Sequence, residues 1–302
     1  MDIDEVKVLC IKFGIRPSRD RGQNFVIEPR AIERMVEAAE ISPEDSVVEI
    51  GPGFGVLTSE LAKKARKVVA VEVDTNVIGA AKYMLEEYKN VDLVHADILK
   101  MSNERLVELL QTPPNLPSER GGNDSISPPF QGGVRGGPIP YKVVSNLPYS
   151  ITSKVLRKFT ECEPRPTCAV LMVQKEVAER VCAAPGAMSM LSVAVQYYGK
   201  PEIIAFVDRD AFYPQPEVDS AILKIHISHN TYHISQEEEK RLFQIVRIGF
   251  SSRRKQLQNN LTAGLHISRE QAFEALGRVG LPEEVRPQEL SVDNWIALAG
   301  VL

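Results

Sequence analysis

Three closely spaced glycines and two acidic residues lie where predicted strands end, and these residue types suit a ligand-binding crevice. Gly51, Gly53 and Gly55 follow an apolar run and precede a helical pattern. Glycines in such a strand-to-helix turn let the backbone pass close to a ligand. Glu72 ends the next apolar run, and Asp97 follows the third. Because ligands of an open parallel sheet bind beyond the carboxyl ends of its strands, we expect these residues to face one crevice.

The spacing of these glycines indicates the class of ligand. Dinucleotide sites follow G-x-G-x-x-G, whereas here the glycines repeat at every second residue and Glu49 precedes them. This spacing resembles the first motif of class I methyltransferases. A carboxylate at Glu72 is placed to accept both hydroxyls of a ribose, and acids suit the cationic sulfonium of S-adenosylmethionine better than a phosphate cradle does. Taken alone, Glu72 or Asp97 reads more simply as a solvated strand-end acid, but the combination favours a cofactor site.

The fourth predicted strand runs into Asn146-Leu147-Pro148-Tyr149. Taken alone, this tetrad is a plain turn that closes a strand. It resembles the [N/D]-P-P-[Y/F] motif of enzymes that methylate amino nitrogens, in the variant of ribosomal RNA adenine dimethyltransferases of the KsgA type. The resemblance implies that the Asn146 side-chain oxygen and the Leu147 carbonyl accept the protons of an adenine amino group, whose lone pair is otherwise delocalised into the ring. Pro148 would stiffen the turn, and Tyr149 would stack on the extruded base.

Two further segments extend this resemblance. Gly22-Gln23-Asn24-Phe25 is similar to the G-Q-N-F of the family, which implies that Gln23, Asn24 and the backbone of Val26 lie against the cofactor. The family usually has Leu at the position of Val26. The stretch 212–220, FYPQPEVDS, resembles the family's F-x-P-x-P-x-V-D-S, so Phe212 is expected to close over the flipped base opposite Tyr149. The simpler alternative is that Phe212 packs in the core.

The charge of the chain bears on an RNA partner. A formal net charge of −4 and a pI near 5.9 argue mildly against a nucleic-acid partner, so a local basic face is required. Arg253-Arg254-Lys255 resembles the family's F-x-x-R-R-K segment, and no acid occurs from Arg241 through Ser268. The sequence therefore predicts a basic helical segment that holds RNA phosphates, with a solvated helix surface as the alternative. Four further cations near the N-terminus extend this face: Lys12, Arg16, Arg19 and Arg21.

Alternating apolar runs and amphipathic stretches predict a Rossmann-like α/β domain of the class I methyltransferase type, with a seven-stranded, mainly parallel sheet. Residues 1–229 are assigned to this catalytic domain and 230–302 to a small, all-helical RNA-binding domain. The segment 112–140 holds seven of the 20 prolines and six of the 19 glycines, which predicts a disordered insertion. The predicted strands are Val47 to Ile50, Val68 to Val73, Val91 to Val94, Lys142 to Ser145, Cys168 to Val173, Glu202 to Val207 and Ser220 to Ile227.

Composition narrows the class further. No apolar run approaches the roughly 20 residues that a membrane span needs, and the N-terminus is acidic, so we expect a cytoplasmic protein. The four cysteines form no C-x-x-C pair and have no histidine at metal-ligand spacing, which predicts neither a metal site nor disulfides. A monomer is expected.

These observations predict an enzyme that transfers methyl groups from S-adenosylmethionine to adenine nitrogen in RNA. The resemblance implies two adjacent adenosines near the 3′ end of small-subunit (16S) ribosomal RNA, methylated during ribosome biogenesis. Three alternatives remain open. They are a large-subunit adenine dimethyltransferase of the macrolide-resistance type, a catalytically silent RNA- or DNA-binding factor on the same fold, and a nicotinamide-dependent oxidoreductase, against which the glycine spacing counts.

Overall fold

The computed structural model describes residues 1–17, 23–112, 140–228, 232, 234–252 and 254–302. Within these residues a seven-stranded sheet is covered by helices on both faces, and a two-stranded ribbon lies beside it. The strands are β1 (Phe25–Val26), β2 (Ser46–Ile50), β3 (Lys67–Glu72), β4 (Val91–His95), β5 (Tyr141–Asn146), β6 (Cys168–Gln174), β7 (Gly199–Val207), β8 (Phe212–Tyr213) and β9 (Ser220–Ile227). The helices are α1 (Ile3–Phe13), α2 (Pro29–Ala38), α3 (Val56–Ala62), α4 (Thr75–Met84), α5 (Asn103–Gln111), α6 (Thr152–Glu161), α7 (Lys175–Val181), α8 (Met190–Tyr198), α9 (Gln236–Gly249), α10 (Leu257–Leu265), α11 (Arg269–Arg278) and α12 (Val292–Val301).

The sheet has the order β4-β3-β2-β5-β6-β9-β7. Its first five strands run parallel, and β9 pairs antiparallel with both β6 and β7. This arrangement confirms the predicted seven-stranded, mainly parallel sheet. Strand β2 pairs with β3 on one side and β5 on the other, so the strand order reverses at β2. Such a switch point leaves a crevice at the carboxyl ends of the strands.

Two hydrophobic layers hold the helices on the sheet. On one face α2 buries Ile32, Met35 and Val36 against β2, β5 and β6, as their helical spacing predicts. On the other face α5 and α6 bury Leu106, Leu156 and similar residues against the same strands. Each fully buried aliphatic side chain contributes about 1.5 to 3 kcal/mol. The strand ends are therefore set on a tightly packed scaffold.

Helices α9 to α12 follow the last strand, as predicted. Ser235, Ser268 and Ser291 cap α9, α11 and α12 through their side chains. These helices share a core with α8 that includes the buried Trp295. The proposed domain boundary at residues 229 and 230 lies outside the described residues, as does the predicted insertion apart from its two end residues.

One sequence expectation was wrong. Arg254 and Lys255 lie in the turn between α9 and α10, not in a helix. The Lys255 amide donates to the Ser252 carbonyl at 3.2 Å, which closes the turn, and Asn260 Nδ2 donates to the carbonyls of Gly249 and Ser252.

Across the described ranges, no helix combines the length and apolarity that a membrane crossing requires.

Candidate functional site

A cavity of about 560 Å³ opens at the carboxyl ends of β2, β3 and β5. Three hydrogen bonds tie these strand ends to neighbouring strands of the sheet. Gly51 N donates to Val71 O at 2.9 Å, Ser145 Oγ to Ile50 O at 2.6 Å, and Leu147 N to Met172 O at 3.1 Å. The cavity floor is thus tied to the buried sheet rather than to loops.

The glycine turn forms one wall of this cavity. Gly51, Gly53 and Gly55 have φ values of +66°, +57° and +83°, a region that favours glycine. A Cβ atom at Gly53 would lie 3.1 Å from Cδ1 of Phe25. The turn therefore needs glycine both for its backbone angles and for the close approach of Phe25.

The two strand-end acids line the same cavity. Glu72 Oε1 accepts hydrogen bonds from the amides of Val73 and Asp74 at 2.8 and 2.9 Å, which fixes the carboxylate. Burial raises the pKa of Glu72 above its ordinary value, against the lowering effect of these amides. Asp97 Oδ1 accepts from the Leu99 amide at 2.9 Å. Both acids are thus oriented by backbone amides, as a site for hydroxyl or amino donors requires.

Glu49 also lines the cavity, from beneath the glycine turn. It is only 2% exposed, and its Oε2 accepts no hydrogen bond from the described residues. Burial raises its pKa to about 8, and the neighbouring Glu72 carboxylate acts in the same direction. The buried position of Glu49 therefore favours the protonated form of its carboxyl group.

Two asparagines, 122 positions apart, meet at the other wall. Asn146 Nδ2 donates to the Asn24 carbonyl at 3.0 Å, which commits the amide nitrogen. Asn146 Oδ1 accepts from no described residue. Asn24 is 9% exposed, and its own Oδ1 lacks a partner among the described residues. Both side chains line the cavity and leave an oxygen acceptor for a ligand.

The remaining expected residues of the cofactor site lie here as well. Gln23 and Val26 line the cavity, together with Pro148 of the tetrad. Gln23 Nε2 donates to Asp74 Oδ2 at 3.3 Å, and Asp74 in turn caps α4. Sequence reasoning did not select Asp74, although an acid directly before a helical pattern is a recognisable capping signal.

Tyr149 and Phe212 are placed differently. The Tyr149 hydroxyl shares a 2.7 Å hydrogen bond with Ser220 Oγ, which joins the tetrad to the last residue of the FYPQPEVDS segment. Phe212 is 3% exposed and packs in the core beside Val26, with which it pairs in the β1–β8 ribbon. Leu147 is likewise buried, and it is not among the residues that line the cavity. Of the expected base-contacting side chains, the structure brings Asn146 and Pro148 to the cavity and leaves the Phe212 ring in the core.

The expected basic face is partly described. Arg254 and Lys255 are exposed, whereas Arg253, Arg19 and Arg21 lie outside the described residues. Arg16 is exposed, and the Lys12 ammonium lies 3.4 Å from the ring centroid of Tyr83. No group of three or more His, Cys, Asp or Glu side chains suited to a metal ion occurs in the described ranges.

A second cavity, of about 870 Å³, lies between α6, α8 and α9. Its acids are engaged: Glu161 with Arg157 at 2.8 Å, Glu163 with Arg165 at 2.7 Å, and Glu239 with the Tyr198 hydroxyl. Three exposed cations on its rim have no ion-pair partner among the described residues, namely Arg180, Lys240 and Arg247. Sequence reasoning did not find this basic rim, because Arg180 on α7 is far in sequence from Lys240 and Arg247 on α9.

The chain is similar over nearly its whole length to proteins named ribosomal RNA small subunit methyltransferase A. Ribosomal RNA small subunit methyltransferase A of Dehalococcoides mccartyi is 38% identical over 291 residues, covering 96% of this chain and 90% of the relative. The protein of the same name from Clostridioides difficile is 35% identical over 299 residues, covering 98% and 94%.

Two solved structures are similar over most of their length. A dimethyladenosine transferase from Plasmodium falciparum superposes with a TM-score of 0.69 at 25% identity, covering 91% of this chain and 95% of that one. The 23S rRNA methyltransferase ErmE superposes with a TM-score of 0.68 at 26% identity, covering 92% and 99%. The family model described as ribosomal RNA adenine dimethylase matches residues 16–301, and the chain belongs to this family.

Proposed function

We propose that the protein transfers methyl groups from S-adenosylmethionine to the exocyclic N6 of two adjacent adenosines of small-subunit ribosomal RNA. The observation that carries this proposal is the fixed Asn146 amide. Its nitrogen is held by the Asn24 carbonyl at 3.0 Å, and the side chain lines the cavity of a protein from the adenine dimethylase family. The relatives named for the small ribosomal subunit, at 35 to 38% identity, favour that subunit over the large one.

The cavity suits the proposed cofactor. Glu72 offers a carboxylate to ribose hydroxyls, Asp97 suits an adenine amino group, and the left-handed glycine turn admits a ligand close to the backbone. Asn24 and its buried, unpartnered Oδ1 would accept a donor such as the cofactor's ammonium group. When bound, S-adenosylmethionine supplies an electrophilic methyl group on a cationic sulfur. Gln23, Val26, Glu49, Gly51 and Gly53 complete the proposed contacts.

The tetrad would prepare the adenine nitrogen for attack. Asn146 Oδ1 and the Leu147 carbonyl accept the two amino protons, which favours a tetrahedral nitrogen whose lone pair is available. Pro148 keeps the turn rigid, and Tyr149, held by Ser220, presents its ring to the base. Stacking by Phe212 requires its buried ring to turn out of the core when the base enters. The nitrogen becomes acidic only once it has gained the methyl group, so no strong general base is needed before the transfer. Alignment therefore supplies most of the acceleration.

RNA is the proposed partner of the basic residues. Arg253, Arg254 and Lys255 would hold phosphates, and the rim of Arg180, Lys240 and Arg247 would extend this surface. The groups beside the rim that carry negative charge are already engaged, so the rim cations are available to phosphates. We propose action as a monomer on assembling subunits in the cytoplasm.

The test is transfer of labelled methyl from S-adenosylmethionine to under-methylated small subunits, with large subunits alongside. Dimethyladenosine in small-subunit RNA is expected. Asn146→Ala should lower the rate at least on the order of 10²-fold, because the acceptor that aligns the nitrogen is lost. Asn259→Ala, an exposed change on α10, is the matched control and should retain the wild-type rate.

The alternatives give different outcomes. Labelling of large subunits only would assign the protein to the resistance type. Binding of small subunits without transfer would indicate a silent binding factor.

A further inference from the structure

Helix α1 packs against the outside of the cofactor cavity. Val6 is fully buried, and Leu9 and Cys10 are 8% exposed, on one face of the helix. They share a hydrophobic cluster with Phe54 of the glycine turn and with Val77 and Ala80 of α4. Phe54 and Val77 also line the cavity. Phe54 and Val77 therefore lie both against α1 and at the cavity, and Met1, just before the helix, lines the cavity itself.

The same layer includes Phe25. Its ring centroid lies 4.3 Å from that of Phe54, and both rings line the cavity. Phe25 also limits Gly53, whose added Cβ would approach within 3.1 Å. Phe54, Phe25 and the glycine turn thus form a continuous set of contacts next to α1.

Both ends of α1 are fixed. Asp2 caps the first turn and forms a reciprocal capping box with Glu5. At the other end, Gly14 adopts a left-handed conformation with φ +64° and ends the helix. The Lys12 ammonium lies 3.4 Å from the ring centroid of Tyr83, and the ring of Phe13 lies 5.8 Å away from the same ring. These contacts hold α1 on α4, the helix that follows Glu72.

Helix α1 lies before residue 16, where the match to the family model begins. We propose that α1 is a positioning element of the cofactor site, in which Val6 and Leu9 hold Phe54 and Phe25 in the shape that binds S-adenosylmethionine. This inference rests on the proposed function for the identity of the ligand. Because coupling between two sites is reciprocal, cofactor binding stabilises the docked helix to the same extent that the docked helix favours the cofactor.

The inference is tested in the full chain with S-adenosylhomocysteine, the product, as the probe. Leu9→Ala leaves a gap behind Phe54 and should weaken binding about tenfold by calorimetry, within the usual range of coupling between sites. Val6→Ala should act in the same direction. Ile11 is 83% exposed, so Ile11→Ala is the matched control and should bind as the wild type does.

Two further readouts separate positioning from general destabilisation. In the wild type, amide exchange in α1 should slow when S-adenosylhomocysteine is added. In Leu9→Ala, KM for S-adenosylmethionine should rise while KM for the small subunit stays unchanged.

Wild-type affinity in both Val6→Ala and Leu9→Ala, or α1 exchange that is insensitive to the probe, would overturn the inference. If Leu9→Ala fails to fold, Val6→Ala and the exchange measurement decide. Failure of the wild type to bind the probe would instead contradict the proposed function, and the inference with it.

Discussion

Glu49 combines an ionisable carboxyl group with almost complete burial. Its carboxyl group lies on a central strand, directly before the glycine turn, and the residue is 2% exposed. Burial raises its pKa from 4.5 to about 8, so the folded protein keeps the proton that the unfolded chain releases. Functional sites commonly hold such strained groups, because the site is built for a ligand and not for stability alone.

This conflict predicts a pH effect on stability. Between about pH 4.5 and 8 the unfolded chain binds fewer protons at Glu49 than the folded protein does. The free energy of unfolding should therefore fall as pH rises through this window, by up to several kcal/mol. Glu49→Gln removes this contribution, so the Tm of the variant relative to the wild type should rise steadily from pH 5 to pH 8. Thermal melts of both proteins without cofactor test this, with the exposed Glu44→Gln as control; a constant difference in Tm across the window would contradict it.

At the scale of elements, the site depends on where strands and helices stop. The glycine turn between β2 and α3 and the tetrad after β5 meet because their strands are neighbours in the sheet. The left-handed angles of the glycine turn shape the wall between them. A side chain added at that turn should alter the shape of the cavity, whereas a side chain added in the middle of a distant helix should not.

Gly53→Ala should therefore both destabilise the protein and weaken cofactor binding. With a Cβ atom, the left-handed backbone costs about 1 to 2 kcal/mol of folding free energy, and the added atom presses on Phe25. Gly277→Ala in α11 is the matched control. Its Cβ meets no atom within 4 Å, and it should stabilise the helix by about 0.5 to 1 kcal/mol. Denaturant melts and calorimetry with S-adenosylhomocysteine measure both effects. Wild-type affinity in Gly53→Ala would show that the turn does not shape the cofactor site.

At the scale of the whole molecule, the net charge of −4 does not describe every part of the surface, because Arg254 and Lys255 are exposed in a stretch, 241–268, that contains no acid. Helices α9 to α12 share a core with α8, in which Trp295 is fully buried. This packing links the C-terminal helices to the catalytic sheet and sets the turn of Arg254 and Lys255 relative to the rest of the chain.

Arg254→Gln combined with Lys255→Gln should therefore weaken RNA binding without affecting the cofactor. We expect KM for small subunits to rise about tenfold and the slope of log affinity against log salt to decrease by roughly 1.5, because two phosphate contacts are lost. The control is Lys64→Gln combined with Lys82→Gln. It makes the same charge change at exposed positions outside both the turn and the basic rim. A salt titration of both double variants separates local contacts from net charge. Equal changes in KM and salt slope in the two double variants would show that the turn makes no specific contact with RNA.

The local parts of the fold and site were predictable from the chain itself. Each predicted strand is present, with β7 beginning three residues earlier than expected, since apolar runs and capping serines report local structure directly. Gly51, Glu72, Asp97 and Asn146 line one cavity as expected, because the carboxyl ends of neighbouring parallel strands share an edge.

Other features depended on contacts between distant segments. The bond between Asn146 and Asn24 joins residues 122 positions apart, and the burial of Phe212 follows from its pairing with Val26. The Arg254–Lys255 turn was expected to be helical, but Asn260 reaches back to the backbone of that turn. Val6, Leu9, Cys10 and Phe13 have the spacing of one apolar helix face, but that spacing does not show which part of the fold the face packs against. The amino-acid sequence alone determined the elements and the chemistry at their ends, because these depend on neighbouring residues. Only the tertiary structure decided which side chains face the ligand, because that depends on packing between parts of the chain that are far apart in sequence.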